Sequence, residues 1–209
     1  VSLCKGAGIA VGAHPGYPDL MGFGRRALSV TPAEMKSYIM YQVGALQTFL
    51  RADGMTLQHV KPHGAMYNAA AKDIKLSRAI CEAIAECAPG AILLCLSGSE
   101  MCRAAEECGI LYASEVFADR AYEDDGSLVA RSKPGAVITD ENEAIARVVR
   151  MVRESKVTSV NGKDISIKAD SICVHGDNAH ALEFVTRIRA ALKAENISTA
   201  PLGDVISAR

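Results

Sequence analysis

Six short segments of the chain concentrate the residue types that move protons or hold charge. In Gly12-Ala13-His14-Pro15-Gly16-Tyr17-Pro18-Asp19, two prolines and a glycine stiffen a loop around His14. A stiff loop suits a positioned side chain. His14 could serve as metal ligand, general base or substrate donor, or simply satisfy loop backbone groups. Tyr17 stands beside it as a substrate-binding candidate. Gly22-Phe23-Gly24-Arg25-Arg26 follows, a basic turn whose Arg25 and Arg26 could grip a carboxylate or phosphate, or be plain solvated charge.

Lys61-Pro62-His63-Gly64-Ala65-Met66-Tyr67-Asn68 is the sharpest of the six. Lys61 and His63 flank a proline at the end of an apolar run. A lysine buried there needs a partner or a lowered pKa, and either is a functional signature. His59, on the strand itself, reads as structural, and His180, on a helix, as exposed. Glu115-Val116-Phe117-Ala118-Asp119-Arg120-Ala121-Tyr122 gathers two carboxylates, an arginine and a tyrosine. Asp119 is either a general base or the partner of Arg120 across the turn. Arg131-Ser132-Lys133-Pro134-Gly135 is a second basic loop. Cys173-Val174-His175-Gly176-Asp177 is a second His-Gly element, in which Asp177 orients His175 or caps the next helix.

These residues need elements to hold them. Apolar runs alternate with helical patterns throughout: strands over Gly8–Ala13, Leu57–Lys61, Ala91–Leu96, Ile110–Phe117 and Ser171–Val174. Helices are expected from Thr31-Pro32 to about Ala52, Asp73 to Cys87, Ser99 to Cys108, Thr139-Asp140 to about Ser155, and about Asn178 to Ala194. Five buried strands alternating with helices predict a parallel α/β sheet with helical crossovers. His14, His63, Asp119 with Arg120, and His175 each follow a strand, and the carboxyl ends of parallel strands share one face. That convergence favours a barrel over an open sheet. Val157 to Ile167 reads as two alternating runs about Asn161-Gly162, a hairpin insertion over roughly 157–168 whose turn positions both call for positive φ.

Composition bounds the rest. The 209 residues carry 23 Lys plus Arg against 24 Asp plus Glu, a net charge of −1, and no basic stripe, which argues against nucleic acid. At 49% hydrophobic residues the chain is no disordered tail. The longest apolar run, Ala91–Leu96, is far too short to span a bilayer. With no second composition regime, residues 1–209 read as one domain. The 7 cysteines include no Cys-x-x-Cys pair and read as small buried hydrophobes of a cytoplasmic protein. Neither a Walker-type loop, nor a Gly-x-Gly-x-x-Gly after a strand, nor a Gly-x-Ser-x-Gly elbow is present. The residues alone point to a hydrolase-like site of His, Asp, Lys and Arg. A divalent metal is an open possibility, His14 and His63 being the candidate ligands. The start, Val1-Ser2-Leu3-Cys4-Lys5-Gly6, looks like the last turn of a helix, so residues are expected upstream.

Taken together, GAHPGYPD, GFGRR, KPHGAMYN, EVFADRAY, RSKPGAVI and CVHGD resemble, in order, the LamB/YcsF lactam-utilisation family, the A subunits of 5-oxoprolinase. The resemblance implies an incomplete seven-stranded β/α barrel related to glycoside hydrolase/deacetylase barrels. It also implies ATP-dependent opening of 5-oxo-L-proline to L-glutamate, jointly with B and C subunits. Family members begin with strands carrying D-L-N-x-D-x-G-E and N-x-A-C-G-F-H-A-G-D, and neither motif occurs in this chain. On this reading His14, Lys61, His63, Asp119 and His175 are the catalytic candidates. Tyr17, Arg25, Arg26, Glu115, Arg120, Arg131 and Asp177 are candidates to bind substrate or phosphate. Two other readings stand beside it: a metal-dependent deacetylase, and a non-catalytic subunit that binds substrate for its partners.

Overall fold

The computed structural model describes residues 1–176 and 181–208, which fall into two compact units, 1–113 and 114–209. The boundary lies within a strand, with no change of composition to announce it.

The first unit runs α1 (Ser2–Gly6), β1 (Val11–Ala13), α2 (Pro32–Ala52), β2 (Leu57–Val60), α3 (Gly64–Ala70), α4 (Ile74–Cys87), β3 (Ile92–Leu96), α5 (Glu100–Cys108) and the first two residues of β4 (Tyr112–Phe117). Its strands lie in the order β1-β2-β3-β4. β1 and β2 pair in parallel, Ala13 opposite Val60, as do β2 and β3, Val60 opposite Leu93. Such pairing needs crossovers, and α2 and α4 supply them. Every residue of β3 is buried, as befits a strand covered on both faces. α2 buries Met35, Ile39, Val43 and Leu50, a stripe at helical spacing, and packs against α4.

The helix ends follow from local chemistry. Thr31 Oγ1 accepts from the Glu34 amide at 3.2 Å while Glu34 Oε2 accepts from the Thr31 amide at 2.7 Å, a reciprocal cap with Pro32 in the first turn. Asp73 accepts from the Lys75 amide at 2.7 Å, and Ser99 from the Met101 amide at 3.3 Å. α5 stops at Gly109, whose φ of 66° lets the backbone turn left-handed.

The second unit holds the rest of β4, then α6 (Glu141–Glu154), β5 (Lys156–Thr158), β6 (Asp164–Ser166), β7 (Ser171–Cys173), α7 (Ala181–Ala194) and α8 (Leu202–Ser207). β4 and β7 are parallel neighbours, Phe117 opposite Cys173. Ala144 and Val148 of α6 pack with Phe184, Ile188 and Leu192 of α7 around Ala118. β5 and β6 form a separate antiparallel pair.

Parallel strands alternating with helices place the chain in the α/β class, and several details depart from the sequence reading. β1 begins at Val11, not Gly8, because the three residues before it are exposed and only Val11–Ala13 find a partner in β2. Residues 64–70 turn into α3, which the short His-Gly segment does not announce. Between β5 and β6 only Gly162 takes a positive φ, 80°, and its amide bonds Ser159 O at 3.0 Å. The connection is therefore a longer loop closed by a left-handed glycine, not a two-residue turn with Asn161 also left-handed. The expected start of the last crossover helix at Asn178 lies outside the described residues.

Candidate active site

Each unit carries one cluster of the expected residues, at the carboxyl ends of its own strands. In the first, His14 follows β1 and His63 follows β2. The Lys61 amide bonds Ala13 O at 2.9 Å and the His63 amide bonds Pro15 O at 2.8 Å, so the two loops continue side by side beyond the strands. Gln42 of α2 clamps the first loop, accepting from the Gly16 amide at 3.0 Å and donating to Gly16 O at 2.9 Å. Neighbouring glycines give His63 its room. A Cβ on Gly24, whose φ is +64°, would come within 2.9 Å of the His63 ring.

The two imidazoles bond to each other, His14 Nε2 to His63 Nδ1 at 2.9 Å. His14 Nδ1 lies 2.7 Å from Lys61 O, and His63 Nε2 lies 2.7 Å from Phe23 O. Carbonyls only accept, so both outer nitrogens carry hydrogens. The central contact is then a bond only while the pair holds one proton more than two neutral imidazoles. With both rings neutral, His14 Nε2 and His63 Nδ1 present converging lone pairs, but two nitrogens are only part of a metal site, and no third His, Cys, Asp or Glu joins them among the described residues. Desolvation, then the charges of His63 and Lys61, hold the His14 pKa down at about 4.

Around this pair the other expected residues divide. The Lys61 ammonium lies 6.0 Å from the Tyr67 ring centre, and the Arg25 guanidinium 5.2 Å from that of Phe23. Arg26 is drawn away to Asp19, its Nε 3.0 Å from both carboxylate oxygens, and this pairing lowers the Asp19 pKa to about 2. Arg26 thus shapes the loop. Tyr17 is 5% exposed, and its hydroxyl has no hydrogen-bond partner among the described residues. His59 packs its ring against Gly12, where an added Cβ would fall 2.1 Å from Nε2, a structural role as its position on the strand implies.

The second cluster centres on His175, just beyond β7. Its Nδ1 lies 3.0 and 3.1 Å from the two oxygens of Asp119, which follows β4, and its Nε2 lies 2.9 Å from Arg131 Nη2. Burial alone would raise the Asp119 pKa. The His175 hydrogen bond and charge, the Asp119 backbone amide and Arg131 outweigh it and hold the carboxyl below its usual range. Asp119 therefore pairs with His175 and not with Arg120. Arg120 is 4% exposed and spends its guanidinium on Ala136 O at 3.1 Å and Val129 O at 2.5 Å. It staples the 120–137 loop from inside, and its burial depresses its own pKa. Glu115 is buried within β4 at 2% exposure. Asp177 and His180 lie outside the described residues.

An Asp-His pair presenting an imidazole nitrogen is a general-base arrangement, and a guanidinium beside it is an anion donor. The sequence reading misses Gln42 and Phe23. Nothing in a helical Gln pattern signals a clamp on a distant loop. A carbonyl acceptor such as Phe23 O has no residue-type signature at all.

The LamB/YcsF family matches residues 1–207. The A subunit of 5-oxoprolinase from Clostridium beijerinckii is 62% identical over 202 residues, 97% of this chain and 79% of that protein. Its counterpart in Pyrococcus abyssi is 52% identical over 206 residues, 99% of this chain and 81% of that protein. The crystal structure of a lactam utilization protein from Thermus thermophilus superposes with a TM-score of 0.85 at 42% identity, covering 95% of this chain and 79% of that one.

Proposed function

The chain belongs to the LamB/YcsF family, and from that membership we propose that it is the A subunit of an ATP-dependent 5-oxoprolinase, opening the lactam of 5-oxo-L-proline to L-glutamate. The observation that carries the reading is the identity of 52% to 62%, over nearly the whole chain, to relatives named as A subunits of 5-oxoprolinase. With it go the seven-stranded β/α barrel of the family, B and C subunits as partners, and a cytoplasmic site of action. Among the described residues no helix is long and apolar enough to cross a membrane.

The chemistry suits the side chains. A lactam carbonyl is a poor electrophile because its nitrogen lone pair is delocalised into it. Transfer of the γ-phosphoryl group of ATP to the amide oxygen, with ADP leaving, removes that protection. Water then adds to the carbon and gives up a proton, the C–N bond breaks as the ring nitrogen takes one, and a second water releases phosphate from the acyl phosphate. Asp119 and His175 form the base that accepts the proton of the attacking water. Arg131 answers the charge on the carboxylate or on the transferred phosphoryl group. Lys61 and Arg25 carry positive charge at the first unit's cluster, beside His14 and His63.

The test is glutamate release from 5-oxoproline by the full-length protein with its partner subunits, with and without ATP. Release that requires both ATP and the partners is expected, and His175→Ala should lower kcat by at least about a hundredfold, the usual worth of a general base. Release without ATP, or a His175→Ala complex of near-normal kcat, would remove the assignment.

A further inference from the structure

We propose that Arg131 is a latch on the Asp119–His175 base, and that an anionic group of the substrate opens it. The inference rests on the oxoprolinase reading only for the identity of that anion. Its core is an accounting of hydrogens at one imidazole.

A carboxylate can only accept a hydrogen bond and a guanidinium can only donate one. His175 Nδ1 faces both oxygens of Asp119 at 3.0 and 3.1 Å, so Nδ1 carries the hydrogen. His175 Nε2 faces Arg131 Nη2 at 2.9 Å, so Nε2 presents its lone pair to the arginine. Both contacts together define one neutral tautomer with its basic nitrogen covered. Taking a proton at Nε2 would set an N–H against an N–H, and a positive ring against a permanent positive charge. Asp119 therefore prepares the base and Arg131 withholds it. The Phe117 ring stands beside the imidazole, 6.0 Å between centres.

The latch is built to be drawn off. Arg131 sits on an exposed loop position, whereas the Asp119 and His175 side chains keep only 19% and 22% of their surface. A phosphate or carboxylate offers a guanidinium a two-point, charge-assisted contact, about twice as strong as a bond to a neutral ring. An arriving anion thus competes for Arg131 on favourable terms, and its success uncovers Nε2 when a reacting group is present. Arg131 is a positioning residue in this account, and it couples anion binding to the availability of the base.

The test is the reaction of His175 with diethyl pyrocarbonate, which attacks an imidazole lone pair, followed by mass spectrometry at fixed pH on the folded protein. His175 should react slowly in the unaltered chain and about tenfold faster or more in Arg131→Ala, the factor expected from losing a bond to a charged donor. Inorganic phosphate or 5-oxoproline should speed the reaction in the unaltered chain and leave Arg131→Ala unmoved. Acceleration by phosphate alone identifies a phosphoryl group as the key, and by 5-oxoproline alone its carboxylate. Should Arg131→Ala fail to fold, the anion effect on the unaltered chain decides. Equal rates in both proteins, no acceleration by either anion, or an Nε2-protonated neutral His175 by nitrogen NMR would overturn the latch. None of these readouts needs turnover, so a failed glutamate assay and a failed latch are separate results.

Discussion

Tyr17 buries a hydroxyl that bonds to nothing among the described residues. Such a group costs about 1–3 kcal/mol. Tyr17→Phe should therefore leave the thermal midpoint unchanged or raise it. A loss of more than about 1 kcal/mol by urea unfolding would mean that the hydroxyl finds a partner in the working protein. His14 makes a pH prediction. Its folded pKa of about 4 lies below the ordinary histidine value of 6.5, so between those values the unfolded chain binds more protons than the folded one. The contribution is fully present above pH 6.5 and is lost as the pH falls towards 4. His14→Asn should flatten the fall of the thermal midpoint across that window, and an unchanged slope would contradict the lowered pKa.

The elements that carry these residues are held by a few local devices. The reciprocal cap of Thr31 and Glu34 starts the longest helix, and α2 in turn holds the His14 loop through Gln42. Thr31→Ala should cost about 1 kcal/mol in urea unfolding. The loss should leave the site geometry intact, because Gln42 lies nearly three turns further along. No change in the midpoint would mean that the first turn of α2 is held by its neighbours instead. The caps at Asp73, Ser99 and Asp140, like the stop at Gly109, are legible in the sequence because each is a residue type next to a periodic run. The first strand starts later than its residue types suggest, because Gly8-Ile9-Ala10 is apolar in type but has no ladder to join.

Across the chain, charge is nearly balanced at −1, and the arginines of the two clusters are committed to a carboxylate, carbonyls or rings. With no basic excess in the sequence to release counterions, binding to nucleic acid should be negligible at physiological salt. A mobility-shift titration with duplex DNA and single-stranded RNA checks this, and micromolar binding with a steep salt dependence would refute it.

The α/β class and the alternation of its parallel strands with the crossover helices were legible in the sequence, though the short helices α3 and α8 were not. Class and alternation depend on periodicity, caps and residue type, which act between neighbours in the chain. Family membership was legible too, since six linked motifs in order leave little room for coincidence. Partner choice was not. Asp119 stands next to Arg120 in the chain yet bonds His175, 56 residues away, while Arg120 turns inward to the carbonyls of Val129 and Ala136. Arg26 pairs with Asp19, and His14 with His63. Only the tertiary structure could decide these, because a charged or hydrogen-bonding group pairs with whatever folding brings within about 3 Å of it.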